Sequence, residues 1–206
     1  MSTATEPFPR LDSAVEAPYE ITVDFFSRMV EAGLIERNRR VFLRDGRLYE
    51  KMAKTKAHGS VGASINMILV PRLPKGWSLW PESTIVLDPT NAPLPDFAVL
   101  RSGELLGRVT PDRYPEPRDI GILIEVAVTS LRADLSTGLE HYARALVPIY
   151  WVVDVLGRRI LVHTEPQVVD GRGEYAHVET YLPGQSLPLI LDGREVARVG
   201  FDELLR

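Results

Sequence analysis

The sequence predicts an α/β (or α+β) domain, a mixed β-sheet core flanked by helices with an extra N-terminal helix and β-hairpins. Three observations predict it. The run DIGILIEVAV is strand-like, a capped amphipathic helix follows it, and a second strand-like run, IYWVVDV, comes next. That strand–helix–strand unit at 119–154 is the pattern of one right-handed parallel crossover. A helix, a hairpin, a second helix and a β-meander precede it. Finally, 45% hydrophobic and 25% charged residues over 206 positions suit one globular domain with its own core.

The elements follow in chain order. Residues 1–18, MSTATEPFPRLDSAVEAP, are small, polar and proline-bearing, and read as a flexible lead-in to a single domain over 19–206. They lack the basic-then-apolar order of a signal peptide. Thr22 can cap a helix through VDFFSRMVEAG, with Phe25, Phe26, Met29 and Val30 as its apolar positions and Gly33 as its stop. Two short apolar segments then flank Asp45-Gly46, a strong hairpin signal. KAHGSVGASINMILVPRL has Val61, Ile65, Ile68 and Leu69 at helical spacing, and Pro74 ends it. WSLW, STIVLD and DFAVLR read as strands. Residues 102–118 hold prolines and polar side chains, and read as a loop. Ser130 caps the helix 131–147, whose stripe is Leu131, Leu135, Leu139, Tyr142 and Leu146, and Pro148 stops it. RRILVHTE pairs back on IYWVVDV, and FDELLR forms a terminal helical turn.

Composition narrows the function. The net charge of −4 gives no global basic field, so nucleic-acid binding would need a local patch. There is no cysteine, which excludes disulfides and thiolate metal sites. No apolar run reaches the roughly 20 residues of a membrane span. A cytoplasmic protein without a membrane partner is expected. Only four of the 24 basic residues are lysines (Lys51, Lys54, Lys56 and Lys75), all before residue 76.

Two acids stand out. Asp96 follows Pro95 at the mouth of the strand DFAVLR. Glu125 sits inside ILIEVAV, where a lone carboxylate costs several kcal/mol unless paired. On that strand Ile120, Ile122, Ile124 and Val126 should face one way, and Leu123, Glu125 and Ala127 the other. Two carboxylates at strand ends can converge on a hard divalent cation, with the Val126 carbonyl as a third oxygen. Such an ion polarises a phosphate and acidifies a bound water.

The ordered set DGRLYEKM, a following His, LPDFAVLR and ILIEVAVTSLRADLSTGLEHYARALVPIYWVVDV resembles the Uma-type restriction-endonuclease family of the PD-(D/E)xK nuclease superfamily. The resemblance spans roughly residues 20–206. It implies a restriction-endonuclease-like fold and an Mg²⁺- or Mn²⁺-dependent DNA endonuclease, often a homodimer. Asp96 matches the motif aspartate and Glu125 the motif acid. Glu50 fits an upstream catalytic acid. The motif lysine would fall at Ala127, or on the next helix in a D-x-x-x-K pattern that starts at Asp134 and ends at Gly138. Neither position is a lysine, and losing one such group typically costs on the order of 10²–10³ in rate. A glycine at 138 would fit a need for space beside the site, or drift after loss of activity. Lys51 or Lys54, next to Glu50, could supply the cation from the hairpin end, and His141 could lean in. Lys51, Lys54 and His58 are the substrate-facing candidates, and ERNRR (Glu36 to Arg40) could form a phosphate-facing patch with Lys51, Lys54 and Lys56.

Plainer roles exist for each. Asp96 can bond loop amides at a strand start. Glu125 can pair with Arg101 or Arg118. Asp134 suits the first turn of a helix, His58 a helix end. His163 and His177 read as surface residues on late strands, and Tyr142 and Trp151 as core aromatics. Three functions remain open: a metal-dependent endonuclease, a catalytically inactive nucleic-acid-binding or protein-interaction module on the same fold, and a hydrolase of small phosphoesters.

Overall fold

The computed structural model describes residues 18–36, 38–102 and 113–206. The lead-in 1–17, Arg37 of the basic run and residues 103–112 of the expected loop lie outside the described residues. The first helix, α1 (Val23–Glu31), starts as expected, with the Thr22 side chain accepting from the Phe25 amide at 3.2 Å. Strands β1 (Val41–Arg44) and β2 (Arg47–Glu50) form the expected hairpin. Asp45 and Gly46 turn it with φ of 47° and 65°, both left-handed, as a two-residue I′ turn requires. Helix α2 (Lys56–Leu69) is capped by Thr55, whose side chain accepts from the His58 amide. Val61, Ile65 and Leu69 are its buried stripe.

The core is a six-stranded sheet in the order β3-β4-β5-β6-β7-β8. It comprises β3 (Trp77–Pro81), β4 (Phe97–Arg101), β5 (Ile120–Ala127), β6 (Ile149–Asp154), β7 (Arg159–Val169) and β8 (Arg172–Tyr181). Among the described residues only β5 and β6 pair in parallel, so the sheet is mixed and the expected crossover is present. The crossover segment is α3 (Leu131–Ala133), a π-helical turn (Asp134–Gly138) and α4 (Leu139–Arg144). A separate hairpin, β9 (Ser186–Leu191) and β10 (Arg194–Gly200), leads into α5 (Phe201–Leu204). One sheet face buries Ile122, Ile124, Val126, Trp151 and Val153 with side chains of α2, the β9–β10 hairpin and α5. The other buries Leu123, Ala127, Tyr150 and Val152 with Tyr142 of α4. Among the described residues, no helix is long and apolar enough to cross a membrane.

Several expectations need correction. STIVLD forms no ladder strand; its Ile85, Val86 and Leu87 amides bond the carbonyls of Pro93, Pro115 and Asn91 instead. Ile120 lies on the Leu123 face and not with Ile122, because the β4–β5 register shifts between Val99 and Leu100 and skips Gly121. A Cβ at Gly121 would stand 2.5 Å from Trp77 and 2.8 Å from Leu191, so the shift needs a glycine. Ser130 caps no amide: its hydroxyl donates to the Asp134 carboxylate at 2.6 Å. The crossover helix stops at Arg144, and Leu146, at φ 57°, is exposed. His163 is buried, stacked on Tyr150, whereas His177 is exposed.

Candidate functional site

The antiparallel β4–β5 pairing brings the start of β4 beside the end of β5, and so Asp96 beside Glu125. The hairpin adds the third group. The Lys51 amide donates to the Arg40 carbonyl at 2.8 Å, which extends the β1–β2 pairing by one step and fixes where the side chain departs. Its ammonium lies 2.8 Å from Asp96 Oδ1, 3.0 Å from Glu125 Oε2 and 3.0 Å from the Leu94 carbonyl. An ammonium has three N–H donors, and here each has an acceptor. Lys51 is therefore the positive partner that buried Glu125 requires.

The remaining acid oxygens are also engaged. Asp96 Oδ2 meets His58 Nε2 at 2.9 Å and accepts from the Val126 amide at 2.9 Å. Glu125 Oε1 accepts from the Tyr142 hydroxyl at 2.9 Å, and Oε2 also accepts from the Asp96 amide at 3.3 Å. Burial raises the Asp96 pKa, but the His58 hydrogen bond and the Lys51 charge outweigh it and hold the carboxyl well below its ordinary value. Glu125 goes the other way. Burial is the largest cause and the Asp96 charge adds to it, so despite Lys51 its pKa is pushed up to about 8. One ammonium faces two carboxylates, and of the two Glu125 holds a proton the more tightly.

The other candidates are placed as follows. Glu50 bonds Arg39 at 2.8 Å and is half exposed, away from the acid pair. Lys54 reaches Glu82 at 3.3 Å, and Arg40 pairs with the same carboxylate. His141 is tied to Asp45 at 2.9 Å and to the Thr137 carbonyl at 2.6 Å. Arg101 pairs with Asp192 and Arg118 with Glu116, so neither serves Glu125. A Cβ at Gly138 would make only ordinary contacts, the nearest at 3.6 Å, so packing does not demand the glycine. Tyr142, read from sequence as a core aromatic, is buried but also holds Glu125. Its place in the motif-like stretch carried no sign of that bond.

Lys51, His58, Asp96, Glu125 and Tyr142 border a groove of about 390 Å³ that Arg40, Arg44, Lys54, Ser130, Asp134 and His141 also line. The divalent ion that the sequence resemblance implies does not fit them as placed. Mg²⁺ seeks near-octahedral oxygen coordination. Here all four carboxylate oxygens of the pair are already bonded, and an ammonium stands between the acids. Among the described residues, no group of three His, Cys, Asp or Glu side chains is placed to hold a metal ion.

Comparison with known proteins bears on this geometry. A family model described as "Uma2: Putative restriction endonuclease" matches residues 23–197. A crystal structure described as "a putative nuclease belonging to DUF820" from Anabaena variabilis ATCC 29413 superposes with a TM-score of 0.62 at 14% identity, covering 89% of this chain and 97% of that one. At that identity the likeness concerns the fold. No curated protein matches the chain.

Proposed function

The chain belongs to the Uma2 family and has its restriction-endonuclease-like fold, and from that premise we propose that it is a nucleic-acid-binding module that keeps the nuclease fold without a working hydrolytic centre. One observation carries the reading. The lysine that the chemistry needs is present as Lys51, but Leu94, Asp96 and Glu125 take all three of its N–H groups. None is left to orient a water or steady a phosphate. The two family positions for a lysine hold Ala127 and Gly138.

Binding is assigned to the groove. Arg40, Arg44, Lys54 and His58 line it, and Lys51 removes much of the repulsion that two bare carboxylates would exert on a phosphate. Arg44 is a groove cation whose guanidinium sits 4.1 Å over the Tyr49 ring. Contacts of this kind bind the backbone in a salt-dependent way. Fluorescence polarisation with labelled DNA should show binding that weakens as salt rises and weakens further in Arg44→Ala. Plasmid incubated with Mg²⁺ or Mn²⁺ should stay intact. Cleavage that disappears in Asp96→Ala would refute the inactive reading.

A second reading has one observation in its favour: Lys51 converges on both acids. In a metal-dependent endonuclease it would be a relocated catalytic lysine, with Asp96 and Glu125 as metal ligands. That reading requires Mn²⁺-dependent plasmid cleavage lost in Asp96→Ala, Glu125→Ala and Lys51→Ala alike.

A further inference from the structure

We propose that Lys51 is the resident cation of the Asp96–Glu125 pair, so that the wild-type site refuses divalent metal and becomes a metal site only when Lys51 is removed. This deepens the reading above, because it explains why an intact acid pair would not hydrolyse, yet it rests on the cage alone.

The cage is built from two segments, the entry to β4 and the end of β5. The Leu94 carbonyl, Asp96 Oδ1 and Glu125 Oε2 point at one ammonium at 2.8 to 3.0 Å. All three are hard oxygens, the donor class of Mg²⁺ and Mn²⁺. Such ions need shorter bonds, about 2.0–2.1 Å for Mg²⁺. The cage therefore has the right chemistry for a divalent ion and the spacing of an ammonium. The tether is short and fixed, since Lys51 follows β2 directly and its own amide is bonded to Arg40. A side chain held this way is present at very high effective concentration, which a free ion must overcome. Once it is gone, Asp96 Oδ1 is free and Glu125 Oε2 keeps only the Asp96 amide at 3.3 Å, beside a carbonyl that has lost its donor. Two buried carboxylates without a cation then favour any divalent ion that can enter from the groove.

Calorimetry and thermal melting with Mn²⁺ test this on wild type, on Lys51→Met, and on the neutral triple variant Lys51→Met/Asp96→Asn/Glu125→Gln. Wild type should give no saturable heat up to millimolar Mn²⁺. Lys51→Met should bind with a micromolar Kd and melt at a higher temperature with the ion, or fold only in its presence. The triple variant should fold and bind nothing. Saturable binding by wild type that Asp96→Asn abolishes overturns the proposal. So does a Lys51→Met protein that gains no binding, or that stays unfolded in Mn²⁺. Failure here is distinguishable from failure of the function. A wild type that binds neither Mn²⁺ nor DNA sinks the nucleic-acid reading alone, and one that binds Mn²⁺ at the pair without cutting DNA sinks this proposal alone.

Discussion

Asp154 and the Asp96–Glu125 pair are buried acids on neighbouring strands of one sheet, satisfied in opposite ways. Asp154 ends β6 and finds its partners locally: the Gly157 amide at 2.8 Å and the Arg159 guanidinium at 2.8 Å. It is one carboxylate with one cation, closed within a β-turn, and half of Arg159 stays in solvent. At the groove, two carboxylates share one ammonium that is 45 residues from the first and 74 from the second. The local cluster fastens a hairpin. The long-range one ties three separate segments together and leaves an acid in excess. An excess buried acid is a poor way to stabilise a fold, which is why this cluster is the candidate site.

The largest effect should follow removal of the shared cation. Lys51→Met should cost about 3–5 kcal/mol in urea unfolding without metal, the usual range for breaking a buried pair. A loss under about 1 kcal/mol, the level of an exposed pair, would put Lys51 in solvent and dissolve the contrast. The excess acid should show next, in the pH dependence. Glu125 is raised from 4.5 to about 8, so the stability it contributes is complete below pH 4.5 and drains away as pH rises through 8. Asp96 is depressed, so its contribution is present above its ordinary 3.8 and is lost only as pH falls below that. The Tm of wild type should therefore fall between pH 5 and 8.5, and Glu125→Gln should flatten that fall. Equal slopes would show that Glu125 does not hold the extra proton. Asp154→Ala should cost less, about 1–2 kcal/mol, because one hydrogen-bonded turn is lost and Arg159 can hydrate. Its deficit should be the same at pH 5 and pH 8.5.

The same contrast explains what the sequence made legible. Local signals were: the Thr22 cap, the Asp45-Gly46 turn, the stripe of α2 and the β5–helix–β6 crossover each depend on residues a few positions apart. Asp96 and Glu125 were found because an acid among Ile and Val violates a strong rule. Lys51 could be singled out only as one of four lysines, since its contact depends on how the hairpin docks. Where tertiary context intervened, local reading failed. STIVLD has strand-like residues but pairs with loops, Gly121 moves Ile120 across the sheet, and the π-turn sends Ser130 to Asp134. Glu50, chosen by its position, is drawn off by Arg39.

Tyr142→Phe gives the smallest effect and separates the two clusters most finely. The hydroxyl donates to Glu125 Oε1, and both groups are buried. Below pH 8 that oxygen belongs to a largely protonated carboxyl, so the bond is a neutral one and its loss should cost about 1 kcal/mol. Above pH 8 the carboxyl ionises, and a donor to a carboxylate is worth roughly twice as much. The deficit of Tyr142→Phe should then grow with pH, while that of Asp154→Ala stays level. Urea unfolding of both variants at pH 6 and pH 9 decides it. A Tyr142→Phe deficit that stays level at about 1 kcal/mol would mean that Glu125 is still protonated at pH 9, and one that stays level at roughly twice that would mean that it is already ionised at pH 6. In the second case Lys51 would be balancing two full charges, and the distinction between the local acid and the shared pair would rest on chain separation alone.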